Sequence, residues 1–578
     1  MLKRTFLFIF CSVFLICSAC TKTGASAQSA VQNSFDTFAD SVFCETVTAN
    51  TINLHYTLAY PEKYGIKNAK TTLGDYGYDY FLKECDNIEL TLKKLKEFPY
   101  GQLTESQQLT YDILLSALTA EAEAKDYILF SEAFSPLTGY HSQLPILMAN
   151  YTFRNDKDIE NYLLLLAEFD EYFAKLMEFQ VMKSENGYFM PDFMAQDVIE
   201  QCQTFIDDID NNYLIETFNT ALDELDWLSA EKKAVYIEKN LEYIKNDVVN
   251  AYTLVIDGLT DLIDTGTNTA GLCYYDTGRQ YYAYLVKCAT GSSKSVRTLQ
   301  QMTEEYIKNS LQEIYSLMII DPALVDNLDT FSFSVSEPSE ILEHLKENIK
   351  TDFPALPDTF CEIHSVHTSL EESLSPAFFL VPPLDNTYNN VIYINNYYKN
   401  RNLFTTLAHE GYPGHLYQNV YTASQKLPLI RSVLSFPGYT EGWATYVEYY
   451  SYNLDSLNAN LAHTLALNDS STLGLYAYLD MGIHYDGWLY EDVLEYLNIF
   501  GFKDEEAIRE IYETIVENPA EYLSYFIGYL EILELRETAQ AALKDDFSMK
   551  DFHTFLLKIG PAPYDIISEY MNKYWLCR

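Results

Sequence analysis

Basic residues are scarce in this chain, and the shortage limits the partners that it can bind. The 578 residues include 38 lysines and arginines against 83 aspartates and glutamates, so the formal net charge is −45. Nucleic acids require a basic surface that neutralises their phosphates, and this composition excludes them as partners. An anionic membrane surface is a poor partner for the same reason. A local acidic funnel that favours cationic peptides remains open.

Cysteine pairs, long apolar runs and linkers are also missing. The seven cysteines beyond residue 20 are scattered and form no C-x-x-C pair, which argues against a cysteine metal site. Their odd number leaves at least one thiol free. Beyond the first residues no stretch offers 18 uncharged apolar residues, so no spanning helix is predicted. No segment rich in glycine, serine or proline divides the chain, and no internal repeat is visible.

The first twenty residues are typical of a lipoprotein leader. Residues 1–4 are basic at Lys3 and Arg4, residues 5–16 are apolar, and Ser18-Ala19-Cys20 follows. A short apolar run before small residues indicates a secretory signal, and a cysteine directly after Ser-Ala predicts that Cys20 is acylated. An ordinary signal peptide cut nearby is the alternative. We therefore expect an extracytoplasmic protein that a lipid anchors to a cell membrane.

Four segments are predicted along the chain. They are a signal peptide over 1–19, a flexible tether over 20–45, a helical N-terminal region over 46–365 and a catalytic region over 366–578. Helical periodicity dominates both of the long regions. Strand signals are few, at Phe331–Val335, Ala377–Val381 and Val391–Asn395. The last of them would suit an open sheet edge that holds an extended substrate, or else a buried core strand.

The chemistry is carried by the segment His409-Glu410-Gly411-Tyr412-Pro413-Gly414-His415, together with Glu441 downstream. Two histidines and a carboxylate form the ligand set of a catalytic zinc site, which leaves one position for water. Glu410, beside the first histidine, is placed to take a proton from that water. The pattern therefore predicts one Zn²⁺ per chain, held by His409, His415 and Glu441, in a hydrolase.

The spacing of the two histidines requires a break in the helix. The usual motif places them at i and i+4, about 40° apart around a helix, whereas His409 and His415 are six residues apart and would lie about 120° apart. Pro413-Gly414 is the pair that best interrupts a helix. We therefore expect a helix through Leu407–Gly411 and then a bulge that brings His415 back to the metal.

Three motifs resemble the DUF885 proteins, which are bacterial, often lipid-anchored, and assigned by similarity to the zincin-like metallopeptidase clan. They are H-E-x-x-P-G-H at 409–415, E-G-W-A-x-Y-x-E at 441–448, and Asp480…His484…Gly487-Trp488. Looser matches extend the resemblance from about residue 187 to 540. It implies a mostly α (α+β), helical zincin-like fold, with a small sheet beside the active-site helix and a deep cleft. It also implies a gluzincin-like metallopeptidase that cleaves short peptides.

Further site residues follow from helical spacing and from the resemblance. Glu448, two turns after Glu441, is expected to contact a ligand histidine. His484, with Asp480 four residues before it, is a candidate donor to the oxyanion or a buried structural pair. A tyrosine hydroxyl is the other candidate donor, at Tyr525, which matches the family pattern, or at Tyr529. Arg536 is a candidate partner of a peptide carboxylate or of a structural salt bridge.

Two other functions and one other metal site remain open. The protein could be an inactive surface lipoprotein that binds zinc or peptide, although Glu410 argues against this because binding alone needs no base. It could instead be a metal-dependent amidase that acts on a cell-wall component. His364 and His367, spaced i and i+3, form the rival metal pair, but no glutamate accompanies them in the right position.

Overall fold

The computed structural model of the chain describes residues 28–366, 368, 371, 375–398 and 402–576. The predicted signal peptide, the lipidation site Cys20 and the rival ligand His367 lie outside these residues. None of the helices in the described part combines the length and apolar character that are needed to span a bilayer. Six cysteines in this part are free thiols (Cys44, Cys85, Cys202, Cys273, Cys288 and Cys361).

Helices make up most of the described chain. The first twelve are α1 (28–47), α2 (Thr51–Thr57), α3 (Tyr78–Lys96), α4 (Glu105–Glu123), α5 (Tyr140–Ala149), α6 (Asp156–Leu166), α7 (Phe169–Glu185), α8 (Asp192–Asp207), α9 (Tyr213–Asp223), α10 (Ala230–Tyr243), α11 (Val249–Leu262) and α12 (Gly278–Thr290). The others are α13 (Val296–Ile320), α14 (Leu324–Thr330), α15 (Pro338–Asn348), α16 (Leu403–Glu410), α17 (His415–Ser424), α18 (Pro437–Ser451), α19 (Ala459–Met481), α20 (Tyr490–Ile499), α21 (Glu505–Glu517), α22 (Glu521–Leu543), α23 (Met549–Ile559) and α24 (Tyr564–Met571).

A small sheet of three strands lies directly before the motif helices. The strands are β1 (Phe360–Ser365), β2 (Ala377–Leu380) and β3 (Asn389–Ile394), in the order β1-β3-β2. β3 pairs parallel with β1 and antiparallel with β2. Of the two predictions for Val391–Asn395, the open edge is wrong and the core strand is confirmed, because β3 is the central strand and β1 and β2 are the edges. Phe331–Val335 is not a strand.

The predicted tether is also corrected over most of its length. Residues 28–47 form α1, and the side chains of Phe35, Ala39 and Phe43 on it are buried. They recur every four residues, which places them on one helix face. That face packs against α3 and α4 in a separate small core. The serines, threonines and glutamines on the other faces of α1 gave the segment its linker-like composition.

The main hydrophobic core surrounds the motif helices and draws residues from both sides of residue 365. Tyr282 of α12, Leu299 of α13 and Leu345 of α15 pack in the same cluster as Leu407 of α16 and Trp443 of α18. The change of packing therefore does not fall at the predicted border of 365/366. A second core, formed mainly by α5–α11, is built from the N-terminal helices.

Three glycines let α18 and α22 cross with their backbones in contact. A Cβ on Gly442 would lie 2.5 Å from the Cα of Gly528, and a Cβ on Gly528 would lie 2.2 Å from the carbonyl oxygen of Gly438. Any side chain at these positions would push the helices apart. The close crossing brings the metal-site face of α18 next to the first turns of α22, where Tyr525 lies.

Candidate metal centre

The two motif histidines stand at the facing ends of two short helices. α16 ends at Glu410, one residue after His409, and α17 begins at His415. Residues 411–414 form the break between them, as the Pro413-Gly414 pair predicted, and the Tyr412–Pro413 peptide is cis. A Cβ on Gly414 would lie 1.7 Å from the carbonyl oxygen of His409, so only glycine fits here.

Trp443 fixes the break from the side. Its indole nitrogen, in the core of α18, donates a 2.9 Å hydrogen bond to the carbonyl oxygen of Pro413. The ring is fully buried, so the carbonyl that the interrupted helix leaves without a partner is satisfied in a dry environment. The tryptophan of the E-G-W-A motif thereby connects α18, which carries Glu441, to the segment that orients His415.

Glu441 meets both histidines through one carboxylate oxygen. Its Oε2 lies 3.6 Å from Nε2 of His409 and 3.3 Å from Nε2 of His415. The two imidazole rings stand nearly perpendicular, with centroids 4.8 Å apart. Three ligand atoms on three different helical segments therefore converge on one point.

These donors fit a zinc ion. A tetrahedral zinc with bonds of about 2.0–2.1 Å keeps neighbouring donors roughly 3.3–3.4 Å apart. The separation between Glu441 and His415 (3.3 Å) equals this value, and that between Glu441 and His409 (3.6 Å) is slightly longer. Imidazole and carboxylate are ligand types that zinc takes in catalytic sites, where three protein ligands leave a fourth position open. Ligand atoms of His409, Glu410 and His415 also lie within 4.8 Å of one another.

Glu448 holds the first histidine from behind. Its Oε2 lies 2.9 Å from Nδ1 of His409, so that nitrogen carries the proton and Nε2 is left to face the centre. Glu448 stands two turns after Glu441 on α18. Both carboxylates therefore reach His409 from the same helix face, one on each ring nitrogen.

The charges of the cluster favour a cation. Burial alone would lower the pKa of His409, but the carboxylates of Glu441 and Glu448 outweigh it and raise that pKa well above its ordinary value. Burial opposes ionisation of Glu441 as well, yet the two histidines hold its pKa below the usual range. The same field that keeps protons on the imidazoles favours a divalent ion in their place.

Glu410 lies between the ligand histidines and the sheet edge, with a carboxylate oxygen within 4.8 Å of a ring nitrogen of each histidine. Its Oε2 accepts a 2.9 Å hydrogen bond from the backbone N–H of Phe379 in β2. Phe379 is therefore a residue whose N–H points away from β3 towards the cavity. The sequence gave no sign of this contact, because it depends on which strand takes the edge of the sheet.

Tyr525 lies over the same centre from α22. Its ring centroid is 6.3 Å from that of His409, and its side chain lines the cavity. Burial and the nearby carboxylate of Glu441 raise its pKa above the ordinary value, so the hydroxyl keeps its proton and is a hydrogen-bond donor at neutral pH.

A cavity of about 570 Å³ contains the centre. One end is lined by the ligand histidines, Glu410, Glu441, Glu448 and Tyr525, and one wall by Ser375–Phe379. Side chains of α17 beyond His415, together with Arg431, also line the cavity. The lining of this cavity falls within residues 375–561, so the N-terminal helices do not share in it.

His484 is a core residue, which corrects its assignment as a catalytic donor. The side chain is fully buried, Nδ1 accepts a 3.1 Å hydrogen bond from the N–H of Leu272, and Nε2 donates a 2.8 Å bond to the carbonyl oxygen of Ile515. Burial lowers its pKa to about 4, so the ring is neutral. Both nitrogens are used, and the ring does not line the cavity.

Asp480 does not bind His484 through the expected contact. Its carboxylate accepts hydrogen bonds from the hydroxyl of Tyr282 (2.5 Å) and from the N–H of Ala520 (3.0 and 3.1 Å). Burial raises its pKa to about 8. The residue anchors the start of α22, the helix that carries Tyr525, and so acts on the fold rather than on a ring in the site.

Tyr529 and Arg536 also lie away from the cavity lining. The Tyr529 hydroxyl is 3.1 Å from that of Tyr306. The Arg536 guanidinium lies over the ring of Tyr446 and donates a 3.4 Å hydrogen bond to its hydroxyl. Of the rival metal pair, His364 is exposed beside Glu362.

The family pattern of DUF885, described as "Bacterial protein of unknown function", matches residues 61–571. The chain therefore belongs to the DUF885 family. None of the curated proteins matches its sequence.

Two solved structures share the fold. The chain is similar to "the putative lipoprotein from Colwellia psychrerythraea", with a TM-score of 0.82 and 19% identity over 95% of this chain and 99% of that one. It is also similar to "a putative lipoprotein of unknown function from Shewanella oneidensis", with a TM-score of 0.65 and 16% identity over 93% and 99%. A "putative oligoendopeptidase F from Bacillus anthracis str. Ames" aligns at a TM-score of 0.31 and 10% identity over 85% and 96%, too distant to carry an argument.

Proposed function

We propose that the protein is a zinc-dependent, gluzincin-like metallopeptidase that cleaves short peptides outside the cytoplasm. The observation that carries the proposal is the convergence of His409 Nε2, His415 Nε2 and Glu441 Oε2, at 3.3–3.6 Å from the shared carboxylate oxygen. Glu410 and Tyr525 stand over the same point, so a ligand set, a base and an oxyanion donor share one cavity. The helical zincin-like fold of the resemblance belongs to the same proposal.

The metal has a defined place and role in this proposal. His409, His415 and Glu441 would hold one Zn²⁺, and Glu448 fixes the tautomer of His409. When bound, the ion acts as a Lewis acid and lowers the pKa of a water molecule towards 7.

Glu410 acts as the general base. It takes a proton from water as the oxygen attacks the scissile carbonyl carbon, and then passes that proton to the leaving amine. Its neighbour His409 is a ligand, so the carboxylate reaches the water without being one itself. The peptide C–N bond breaks as the new C–O bond is completed, and a carboxylic acid and an amine leave.

Tyr525 and β2 position the substrate. The Tyr525 hydroxyl donates a hydrogen bond to the oxygen of the attacked carbonyl as negative charge develops there. The edge of β2 lies along the cavity and offers backbone groups to an extended peptide. A cavity of about 570 Å³ has room for a short segment of extended chain rather than for a folded protein.

The proposed location is an outer membrane face, reached through a lipid on Cys20. The basic, apolar and Ser-Ala-Cys sequence of the leader supports this proposal. The names of the two similar solved structures agree with it, since each is called a "putative lipoprotein".

A digest of a peptide mixture tests the activity. The wild type, with zinc, is expected to cleave peptides, and a chelator is expected to stop cleavage. Glu410→Gln keeps the shape of the side chain and removes the base, so we expect bound zinc and a native melting curve without hydrolysis. Metal analysis of His415→Ala, which removes one ligand, is expected to show lost zinc.

Several results would contradict the proposal. Chelator-insensitive cleavage, an active Glu410→Gln variant or full zinc in His415→Ala would each overturn a named role. If the wild type cleaves no peptide in the mixture but cleaves a cell-wall amide, the amidase alternative replaces the peptidase. If the wild type cleaves neither substrate, the binding-protein alternative replaces the peptidase.

A further inference from the structure

The lining of the cavity includes a buried cation without an anionic partner. Arg431, in the short helical turn Leu429–Ser432, is 1% exposed and still lines the cavity. Its Nη2 donates hydrogen bonds to the carbonyl oxygens of Ile559 (2.6 Å) and Pro561 (3.2 Å). Among the described residues no carboxylate forms an ion pair with it, and its buried Nε has no hydrogen-bond partner.

Three further polar side chains of the cavity lining have buried atoms that make no hydrogen bond. They are Nε2 of Gln418, Oδ1 of Asn419 and Oγ1 of Thr422, all on α17. Thr422 adjoins the arginine, since a Cβ on Gly560 would lie 3.7 Å from Cγ2 of Thr422 and 3.5 Å from Nη2 of Arg431. Buried polar atoms are normally satisfied, so unsatisfied ones around a cation mark a place where a polar ligand fits.

The spacing along α17 relates this group to the metal. His415, Asn419 and Thr422 stand at i, i+4 and i+7, on one face of the helix. With a rise of about 1.5 Å per residue, Thr422 lies about 10 Å along the helix axis from the proposed metal ligand His415. An extended peptide advances roughly 3.3 Å per residue. Two or three substrate residues therefore separate the scissile bond from the level of Thr422.

We propose that Arg431, Asn419 and Thr422 form a subsite for a carboxylate of the substrate, two or three residues from the scissile bond. The subsite deepens the proposed peptidase function and rests on it. The guanidinium supplies the positive charge, and the hydroxyl of Thr422 and the Nδ2 group of Asn419 donate neutral hydrogen bonds to the carboxylate, whereas Oδ1 of Asn419 accepts only. The chain has a net charge of −45, so most of its surface repels anionic groups. An unpaired buried cation makes this one place attractive to them.

The carboxylate has two sources, which predict different products. If it is the C-terminal carboxylate of the peptide, the enzyme releases di- or tripeptides from that end. If it is the side chain of a glutamate or aspartate, cleavage occurs at a fixed distance from an acidic residue anywhere in a peptide.

Peptide binding to zinc-loaded Glu410→Gln protein tests the subsite without turnover. The probes are seven-residue peptides of one sequence, with a free or amidated C terminus, and amidated peptides with glutamate or glutamine at each position in turn. Titration calorimetry is expected to show about 10- to 100-fold tighter binding for the peptide that carries the preferred carboxylate, the usual worth of hydrogen bonds to a charged group.

Variants of the subsite should remove that preference. Arg431→Gln is expected to bind charged and neutral peptides about equally, while Arg509→Gln, an exposed arginine on α21, keeps the wild-type ratio. Since Arg431 also holds two backbone carbonyls, Asn419→Asp is the second variant. It adds a negative charge at the same place with little change of shape, and should weaken only the charged peptides.

The outcomes separate this proposal from the proposed function. Equal binding of charged and neutral peptides by the parent protein overturns the subsite, as does an unchanged ratio in folded Arg431→Gln or in Asn419→Asp. A clear preference in binding combined with no cleavage of any probe by the wild type overturns the peptidase and leaves a carboxylate-binding site.

Discussion

Two tyrosines that lie one turn apart on α22 have different surroundings. Tyr525 lines the cavity beside His409, whereas Tyr529, one turn later, is directed to Tyr306 and does not line it. The first is placed to donate to a reacting oxygen, and the second closes a hydrogen bond in the core. The two residues therefore form a matched pair for a test of the oxyanion donor.

We expect Tyr525→Phe to lower the turnover of a cleaved peptide by about 10²–10³-fold, the usual cost of one lost oxyanion donor. Zinc content and the melting temperature should stay near those of the wild type, because the ring and its packing remain. Steady-state kinetics with metal analysis measures this. Tyr529→Phe is the control and should keep its turnover. Equal rates for both variants would show that Tyr525 only fills space.

The site residues divide into those that short motifs specify and those that the fold specifies. His409, His415, Glu441 and Glu448 converge as predicted because each pair is fixed by local helix geometry and by one break. The role of His484 could not be assigned this way. The i, i+4 spacing of Asp480 and His484 is the same whether the histidine ring lies in the core or in a cleft. Arg431 carried no motif, and only its position beside α17 reveals it.

The crossing of α18 and α22 determines how close Tyr525 stands to the metal ligands. Gly442 follows the ligand Glu441 directly, and Gly528 lies three residues after Tyr525. The contact between their backbones therefore sets the distance between the two functional helix faces. A side chain at Gly442 or Gly528 would therefore displace a whole helix rather than break one hydrogen bond.

Gly442→Ala is expected to lower the free energy of unfolding by roughly 1–3 kcal/mol, because its Cβ would lie 2.5 Å from the Gly528 backbone and the helices must separate. Turnover should fall as well, since Tyr525 moves away with α22. Chemical denaturation and kinetics measure the two effects. Gly101→Ala, where a Cβ meets nothing within 4 Å, is the control. An unchanged midpoint for Gly442→Ala would contradict the close crossing.

At the level of elements, the sequence predicts what is local. The helical content and the break at residues 411–414 follow from periodicity and from Pro413-Gly414. The order of the strands does not, because β2 and β3 carry similar apolar patterns and only their pairing decides which one is the edge. α1 was missed because its few buried residues are diluted by polar ones.

At the scale of the whole molecule, α1 shortens the connection between the body and its proposed anchor. Its buried face packs in the core formed with α3 and α4, and residue 28, the first described residue of α1, lies eight residues after Cys20. Eight residues span at most about 28 Å. A lipid on Cys20 would therefore hold the protein close to the membrane surface, instead of on a long tether as the composition predicted.

Cys20→Ser tests the anchor. The wild type, expressed in a bacterial host and extracted in a detergent that separates into two phases, is expected in the detergent phase. The variant lacks the thiol that accepts the lipid, so it should move to the aqueous phase or retain its leader. Mass spectrometry of the N-terminal peptide supplies the direct readout. A wild type found wholly in the aqueous phase would contradict lipidation.

The hydrogen bond between Glu410 and the N–H of Phe379 makes the base part of the strand that a peptide would join. One backbone N–H serves one good acceptor at a time. If the proposed function holds, a substrate carbonyl that pairs with Phe379 would take that donor from Glu410 and free the carboxylate to turn towards water. Docking of the proposed substrate on β2 and readiness of the proposed base would then be a single event.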